Sequence, residues 1–159
     1  MSKATADIYD EFGDQVQVAQ PMFNDYGQKR KFSGPVSTIK VYEDNSLVRA
    51  ALEKTGNGRV LVVDGGGSLG CALVGDMLAK LGEDNGWEGI IVYGCIRDSA
   101  VIATMNIGVK ALNTNPKKSV KKGVGDVDIP LEFADVRFVP GSHIYADEDG
   151  ILVANEKLF

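Results

Sequence analysis

The chain holds a single histidine, His143, and only two cysteines, Cys71 and Cys95, with no CxxC pair. One histidine excludes a multi-histidine metal site within one chain. Any metal would be held by oxygens and water, which is the chemistry of Mg²⁺ or Mn²⁺ rather than zinc. Both cysteines sit in apolar surroundings and read as small buried hydrophobes. No stretch approaches the roughly 18 consecutive apolar residues of a membrane-spanning helix. The start, MSKATADIYDEF, is acidic and lacks the apolar run of a secretion signal. The expected compartment is the cytoplasm, with no membrane partner. A basic excess is also missing. The net charge is −5, which disfavours direct nucleic-acid binding. There is no internal repeat, low-complexity tail or linker, so residues 1–159 read as one domain.

What is present is an alternation of short apolar runs. Residues 4–12 read as a helix with Thr5 as its cap, and residues 16–27 as loop with a short extended piece. Residues 31–43 alternate with period two, as a strand does. In residues 45–54, Leu47, Val48, Ala51 and Leu52 fall at helical spacing, and Gly56-Asn57-Gly58 ends the helix. Residues 59–64 form an apolar strand expected to be buried on both faces. A helix from Gly75, expected to turn Met77, Leu78 and Leu81 inward, leads to a strand over 89–93. A short helix over 99–105 and a strand over 108–112 follow. Short strands are then predicted over 127–133, 136–139, 143–145 and 150–153. The pattern is α/β: βαβ units in the middle, strands on both sides, a central mixed sheet and short flanking helices.

Chemistry concentrates between residues 60 and 98, where Asp76 is separated by 20 residues from Arg97-Asp98. The amides of Gly75, Asp76, Met77 and Leu78 open a helix and lack intrahelical partners, so they can seat a small carboxylate or simply take water. Arg97 offers a planar fork for a carboxylate or oxyanion just past a strand end. Asp98 either points away along a continuing strand or caps the helix that follows it. Lys117, Lys118, Lys121 and Lys122 make a basic loop that is either solvated or steers an anionic substrate. His143 reads as structural, and Asp147, Glu148 and Asp149 as turn residues. Gly65, Gly67 and Gly70 satisfy GxGxxG after a strand, which invites a dinucleotide or S-adenosylmethionine reading. Asp64 stands directly before them, where it would repel a pyrophosphate, and no helix opens directly after Gly70. A tight turn under close packing accounts for them.

The stretch VLVVDGGGSLGCALVGDMLAKLGEDNGWEGIIVYGCIRD, with ALNTNPKKS and VPGSHIYADEDGILV, resembles the family of the regulator of ribonuclease activity A. That family also contains the metal-dependent 4-hydroxy-4-methyl-2-oxoglutarate aldolases. The likeness covers nearly the whole chain, and Asp76-x20-Arg97-Asp98 matches the aldolase signature in full. The resemblance implies a swivelling β/β/α-type domain in a homotrimer with sites near subunit interfaces. It implies a pyruvate carboxylate on the amides of Gly75 through Leu78. Arg97 would contact the substrate carboxylate and 2-oxo oxygen, and Asp98 would hold Mg²⁺ or Mn²⁺ largely through water. The base for the C4 hydroxyl is assigned to a water on the metal oriented by Asp76; decarboxylation of oxaloacetate needs none. One position departs. Ser142-His143 follows Pro140-Gly141, where members often carry an acid.

Three functions follow in order. The first is a divalent-metal-dependent lyase acting on a small 2-oxo acid, with Arg97 and Asp76 catalytic. The second is a trimer that binds and inhibits a ribonuclease without catalysis. The third, resting only on VVDGGGSLG, is a methyltransferase acting on a quinone precursor.

Overall fold

The five residues VLVVD carry no exposed position, which is how a strand in the middle of a covered parallel sheet reads. A computed structural model describes residues 1–159. In chain order it contains α1 (Thr5–Phe12), β1 (Val16–Val18), β2 (Asn24–Asp25), β3 (Phe32–Lys40), α2 (Ser46–Leu52), β4 (Val60–Asp64) and β5 (Ala72–Val74). Then come α3 (Asp76–Asp84), β6 (Gly89–Ile96), α4 (Ser99–Ile102), β7 (Gly108–Thr114), β8 (Asp126–Val127), β9 (Leu131–Phe133), β10 (Val136–Phe138), β11 (His143–Asp147) and β12 (Gly150–Ala154). The sheet runs β1-β12-β11-β3-β4-β6-β7-β2, with β5 added to β6 and β8 to β3.

β3, β4, β6 and β7 are parallel neighbours and advance across the sheet in one direction. Right-handed crossovers therefore lay α2, α3 and α4 on the same face. Leu61, Val63, Ile90 and Val92 point to that face and pack with Val48, Leu52, Leu78 and Ile102. Val60, Val62 and Ile91 point the other way, onto Leu131, Phe133, Val136 and Phe138 of the β9–β10 hairpin. The layers are hairpin, sheet and helices, the β/β/α order that the family resemblance implies. The longest helix, α3, has 9 residues, below the roughly 12–15 at which an isolated helix begins to hold. Each buried aliphatic contributes about 1.5–3 kcal/mol. Burial in the two clusters, not helix propensity, holds these elements.

Four local readings change. Thr5 is not the cap of α1. Its hydroxyl donates to Asp147 Oδ1 at 2.6 Å and its amide to Oδ2 at 2.8 Å, so the cap comes from 142 residues away. Met77 does not turn inward. It is 67% exposed, and the buried face of α3 is Leu78, Ala79 and Gly82. The strand expected over 127–133 is two pieces, because Asp128 adopts a left-handed φ of 57° and Pro130 follows. The strand expected over 89–93 runs on to Ile96, which carries its end to Arg97.

Asp147 also accepts from the Asp149 amide at 3.0 Å, and its carbonyl takes the buried Lys110 ammonium at 2.8 Å. Burial pushes its carboxyl up, but the Thr5 hydroxyl and amide, the Asp149 amide and the Lys110 charge outweigh this and hold it below the ordinary value. A depressed carboxyl adds stability above its unfolded pKa of about 3.9, and loses it as pH falls through the folded value. Asp147→Asn should therefore cost about 1.5–3 kcal/mol at neutral pH. Urea unfolding should show a smaller deficit at about pH 3 than at about pH 7.

Candidate active site

The Asp-x20-Arg-Asp spacing has a structural cause. β5 pairs in parallel with the end of β6, with Ala72 opposite Cys95 and Val74 opposite Ile96. Leaving β5, the chain turns at Gly75 into α3. Leaving β6, it reaches Arg97. The two exits are therefore neighbours at the carboxyl edge of the parallel strands, where α/β folds bind ligands. The Arg97 amide donates to the Val74 carbonyl at 2.9 Å and locks them together.

Asp98 does neither of the things its position predicts. Its backbone takes the left-handed conformation, φ 58° and ψ 38°. This conformation is uncommon outside glycine but tolerated by Asp. Its carbonyl starts α4, accepting from Ile102 at 2.9 Å. Its side chain turns back to α3, where Oδ2 accepts the Asp76 amide at 3.0 Å. Asp98 thus occupies one of the helix-start amides and leaves Oδ1 free of protein donors, while Met77 and Leu78 have no side-chain acceptor. Gly75 leaves room for this approach. A Cβ there would stand 2.9 Å from Asp98 Oδ2 and 3.4 Å from Arg97 Nε.

These groups open into a cavity of about 260 Å³. The start of α3, Arg97 and Asp98 form one wall; Asn45, Ser46 and Arg49 from α2 and Lys118, Ser119 and Lys121 from the basic loop form the others. Four cations face two carboxylates, Asp76 and Asp98, although the whole chain carries −5. Arg97, Lys118 and Lys121 form no ion pair; Arg49 is near Glu53 at 3.6 Å. Arg97 makes one long hydrogen bond, 3.4 Å to the Pro116 carbonyl. Uncommitted cations in a cleft attract a multiply charged anion. All six expected site residues, Gly75 to Leu78 with Arg97 and Asp98, line this cavity, as do Lys118 and Lys121 of the basic cluster. Arg49, Asn45, Ser46 and Ser119 had no sequence signal beyond their polarity. A larger depression of about 460 Å³ over the β9–β10 turn is lined by Gln17 and residues 132–137 and gathers one arginine between two acids.

The donor set fits one kind of metal. No three His, Cys, Asp or Glu side chains converge anywhere in the chain. Asp98 Oδ1 and Asp76 are the oxygens on offer. That suits Mg²⁺ or Mn²⁺, which keep most of their waters and accept one or two carboxylates plus substrate oxygens. It does not suit a closed zinc site.

The other candidates lie elsewhere. Asp64 Oδ1 accepts the Gly66 amide at 2.8 Å. Gly66 and Gly67 take positive φ of 68° and 72° against the rings of Tyr42 and Tyr93. The glycines make the tight turn their packing requires. Burial pushes both thiols up, Cys71 further through the charge of Glu43, so neither is a ready thiolate. His143 is buried, lowered by that burial and by Lys157, and tilts against Tyr145 at 4.8 Å. Ser142 donates to the Val139 carbonyl at 2.6 Å. Neither Ser142 nor His143 lines the cavity.

A protein of Aromatoleum aromaticum, provisionally named 4-hydroxy-4-methyl-2-oxoglutarate aldolase, is 58% identical over 158 residues, 99% of each chain. The crystal structure of a Geobacillus kaustophilus protein named S-adenosylmethionine:2-dimethylmenaquinone methyltransferase is 53% identical, covers 98% of this chain and 97% of that one, and superposes with a TM-score of 0.96. The RNA-processing inhibitor RraA from Thermus thermophilis is 43% identical, with 100% and 96% coverage and a TM-score of 0.96. No helix of the chain is long and apolar enough to cross a membrane. The sequence profile described as RraA-like, Aldolase/RraA, matches residues 5–153, and the chain belongs to that family.

Proposed function

We propose that this protein is a divalent-metal-dependent carbon–carbon lyase that cleaves 4-hydroxy-4-methyl-2-oxoglutarate to pyruvate and decarboxylates oxaloacetate. The observation carrying this reading is the meeting of Arg97 and Asp98 with the start of α3 in a cavity with an excess of cations. Both substrates are dicarboxylates with a 2-oxo group, which matches that charge. The names of the aldolase relatives support the aldol cleavage; the decarboxylation is inferred from the enolate the two reactions share.

The substrate's C1 carboxylate lies against the free amides of Met77 and Leu78 and one arm of the Arg97 fork. The second arm faces the 2-oxo oxygen, where negative charge develops. Lys118, Lys121 and Arg49 face the distal carboxylate. Asp98 and Asp76 are the residues that would hold Mg²⁺ or Mn²⁺, and the bound ion supplies an electrophile for the 2-oxo group. Asp76 orients the water that takes the C4 hydroxyl proton. The C3–C4 bond then breaks. C4 becomes the carbonyl of one pyruvate, and the electron pair passes to C3 and the 2-oxo oxygen as the enolate of a second. Protonation at C3 completes it. With oxaloacetate the C4 carboxylate leaves as CO₂ and gives the same enolate without a base.

Chelation tests the reading. Pyruvate release from both substrates should stop in EDTA and return when Mg²⁺ or Mn²⁺ is restored; turnover that persists in EDTA would overturn it. A compatible second role is ribonuclease binding by the outer surface of an oligomer, supported by the likeness to the Thermus inhibitor. It would need neither Arg97 nor Asp98.

A further inference from the structure

The two lysines on the far side of the cavity have no partner to place them, so their backbone must be placed instead. Lys118 is bridged in parallel to Ala72 of β5, but Lys121 belongs to a loop without regular structure over residues 119–125. Such a loop would ordinarily move. Here one buried carboxylate fastens it. Asp44 is 4% exposed. Its Oδ2 accepts the Lys122 amide at 2.9 Å and the Val124 amide at 3.1 Å. Its Oδ1 accepts the Ser46 amide at 2.9 Å and the Ser46 hydroxyl at 2.7 Å. The same Ser46 oxygen accepts the Gly123 amide at 3.3 Å. Two neighbours add to the clamp: the Asn45 amide donates to Ser119 Oγ at 3.2 Å, and the Val120 amide to the Glu43 carbonyl at 3.0 Å.

No lysine or arginine pairs with Asp44. Burial pushes its carboxyl up, but the Ser46 amide and hydroxyl and the Val124 and Lys122 amides pull it far below the ordinary range. The group is therefore a carboxylate at neutral pH, spent on backbone amides. Asp44 does not line the cavity, whereas Lys118, Ser119 and Lys121 do.

We propose that Asp44 is a positioning residue: by tying the 119–124 loop to the start of α2 it holds Lys121 beside the β5-bridged Lys118, where the two take the substrate's distal carboxylate. The inference rests on the reading of the cavity as a dicarboxylate site. It separates two halves of that site. Pyruvate, with one carboxylate, needs only the α3 start and Arg97. Oxaloacetate and 4-hydroxy-4-methyl-2-oxoglutarate also need the loop.

Asp44→Asn keeps the shape but turns donors toward the Lys122 or Val124 amides. It should raise KM for both dicarboxylates about tenfold, the loss of a charge-assisted contact, and leave inhibition by pyruvate within about twofold. Its kcat should change less than its KM. In a Lys118→Met, Lys121→Met background, adding Asp44→Asn should raise KM no further, because residues acting through one contact are not additive. Ser46→Ala, which removes one donor to Asp44 and the acceptor for Gly123, should move KM the same way by less and serves if Asp44→Asn does not fold. Equal loss of pyruvate and dicarboxylate, an unchanged KM in a folded variant, or full additivity with the lysine changes would overturn the inference. A wild-type protein that turns over neither dicarboxylate and is not bound by pyruvate would instead overturn the reading of the cavity, and the inference with it.

Discussion

Arg97→Ala should lower kcat/KM for 4-hydroxy-4-methyl-2-oxoglutarate by about 10³-fold, at the upper end of what removing one oxyanion donor costs. The guanidinium is asked to do two things. It holds the C1 carboxylate in the ground state, and it meets the charge that gathers on the 2-oxo oxygen as the C3–C4 bond breaks. Losing the first raises KM, and losing the second lowers kcat, so both should move. The fold should not. Arg97 is half-buried, forms no ion pair and gives up only a 3.4 Å hydrogen bond to Pro116. Its thermal midpoint should stay close to that of the wild type while activity collapses. Arg97→Lys keeps the charge but not the fork, and should recover little. Steady-state pyruvate formation beside a melting curve reads both quantities. An Arg97→Ala protein that is folded and still active would remove Arg97 from the chemistry.

The second large effect is at Asp98, where two roles can be pulled apart. As acceptor for the Asp76 amide, its side chain caps α3. Losing a cap costs about 1 kcal/mol. As the exposed carboxylate that follows Arg97 and lines the same cavity, it is also the proposed metal ligand. Several kcal/mol of electrophilic stabilisation depend on that role, or about 10³-fold in rate. Asp98→Ala should lose both. Asp98→Asn retains an oxygen for the Asp76 amide and should recover stability, but not metal-dependent turnover. Titrating Mn²⁺ against rate for the three proteins separates the roles. Full activity in Asp98→Asn at the wild-type metal requirement would mean that the residue is only a cap.

The sequence displays the centre of this site because local order and spatial order coincide there. Asp76 opens a helix directly after β5, Arg97 follows β6 directly, and β5 and β6 are hydrogen-bonded neighbours. The helix start and the apolar run before Arg97 are legible, but the three-residue β5 that joins them follows a glycine-rich crossing and is not among the predicted strands. The rest of the cavity has no such shorthand. Asn45 and Arg49 come from the α2 crossover, Lys118 from a bridge to β5, and Lys121 from a loop that Asp44 fixes at amides 78 and 80 positions away. A run of lysines looks the same whether it is solvated or fastened over a cleft. Met77 failed for a related reason. Apolar residues at 77, 78 and 81 allow more than one inward stripe on a short helix, and in the first turn of α3 Leu78 and Ala79 take the sheet side while Met77 is left on the cavity side. Thr5 is a good cap by type, but Asp147 reached it first from the far end of the chain. Asp98 shows the same limit at closer range: a left-handed φ redirects its side chain from the helix it precedes to the one before it.

The central claim is that Arg97, Asp98 and the start of α3 form a lyase site for a dicarboxylic 2-oxo acid. Its most direct test is the stoichiometry of one progress curve, with 4-hydroxy-4-methyl-2-oxoglutarate, Mg²⁺ and the purified protein, against a metal-only control. Retro-aldol cleavage predicts two pyruvates for every substrate consumed, at a rate well above the control. No pyruvate above the control from the folded protein would contradict the account.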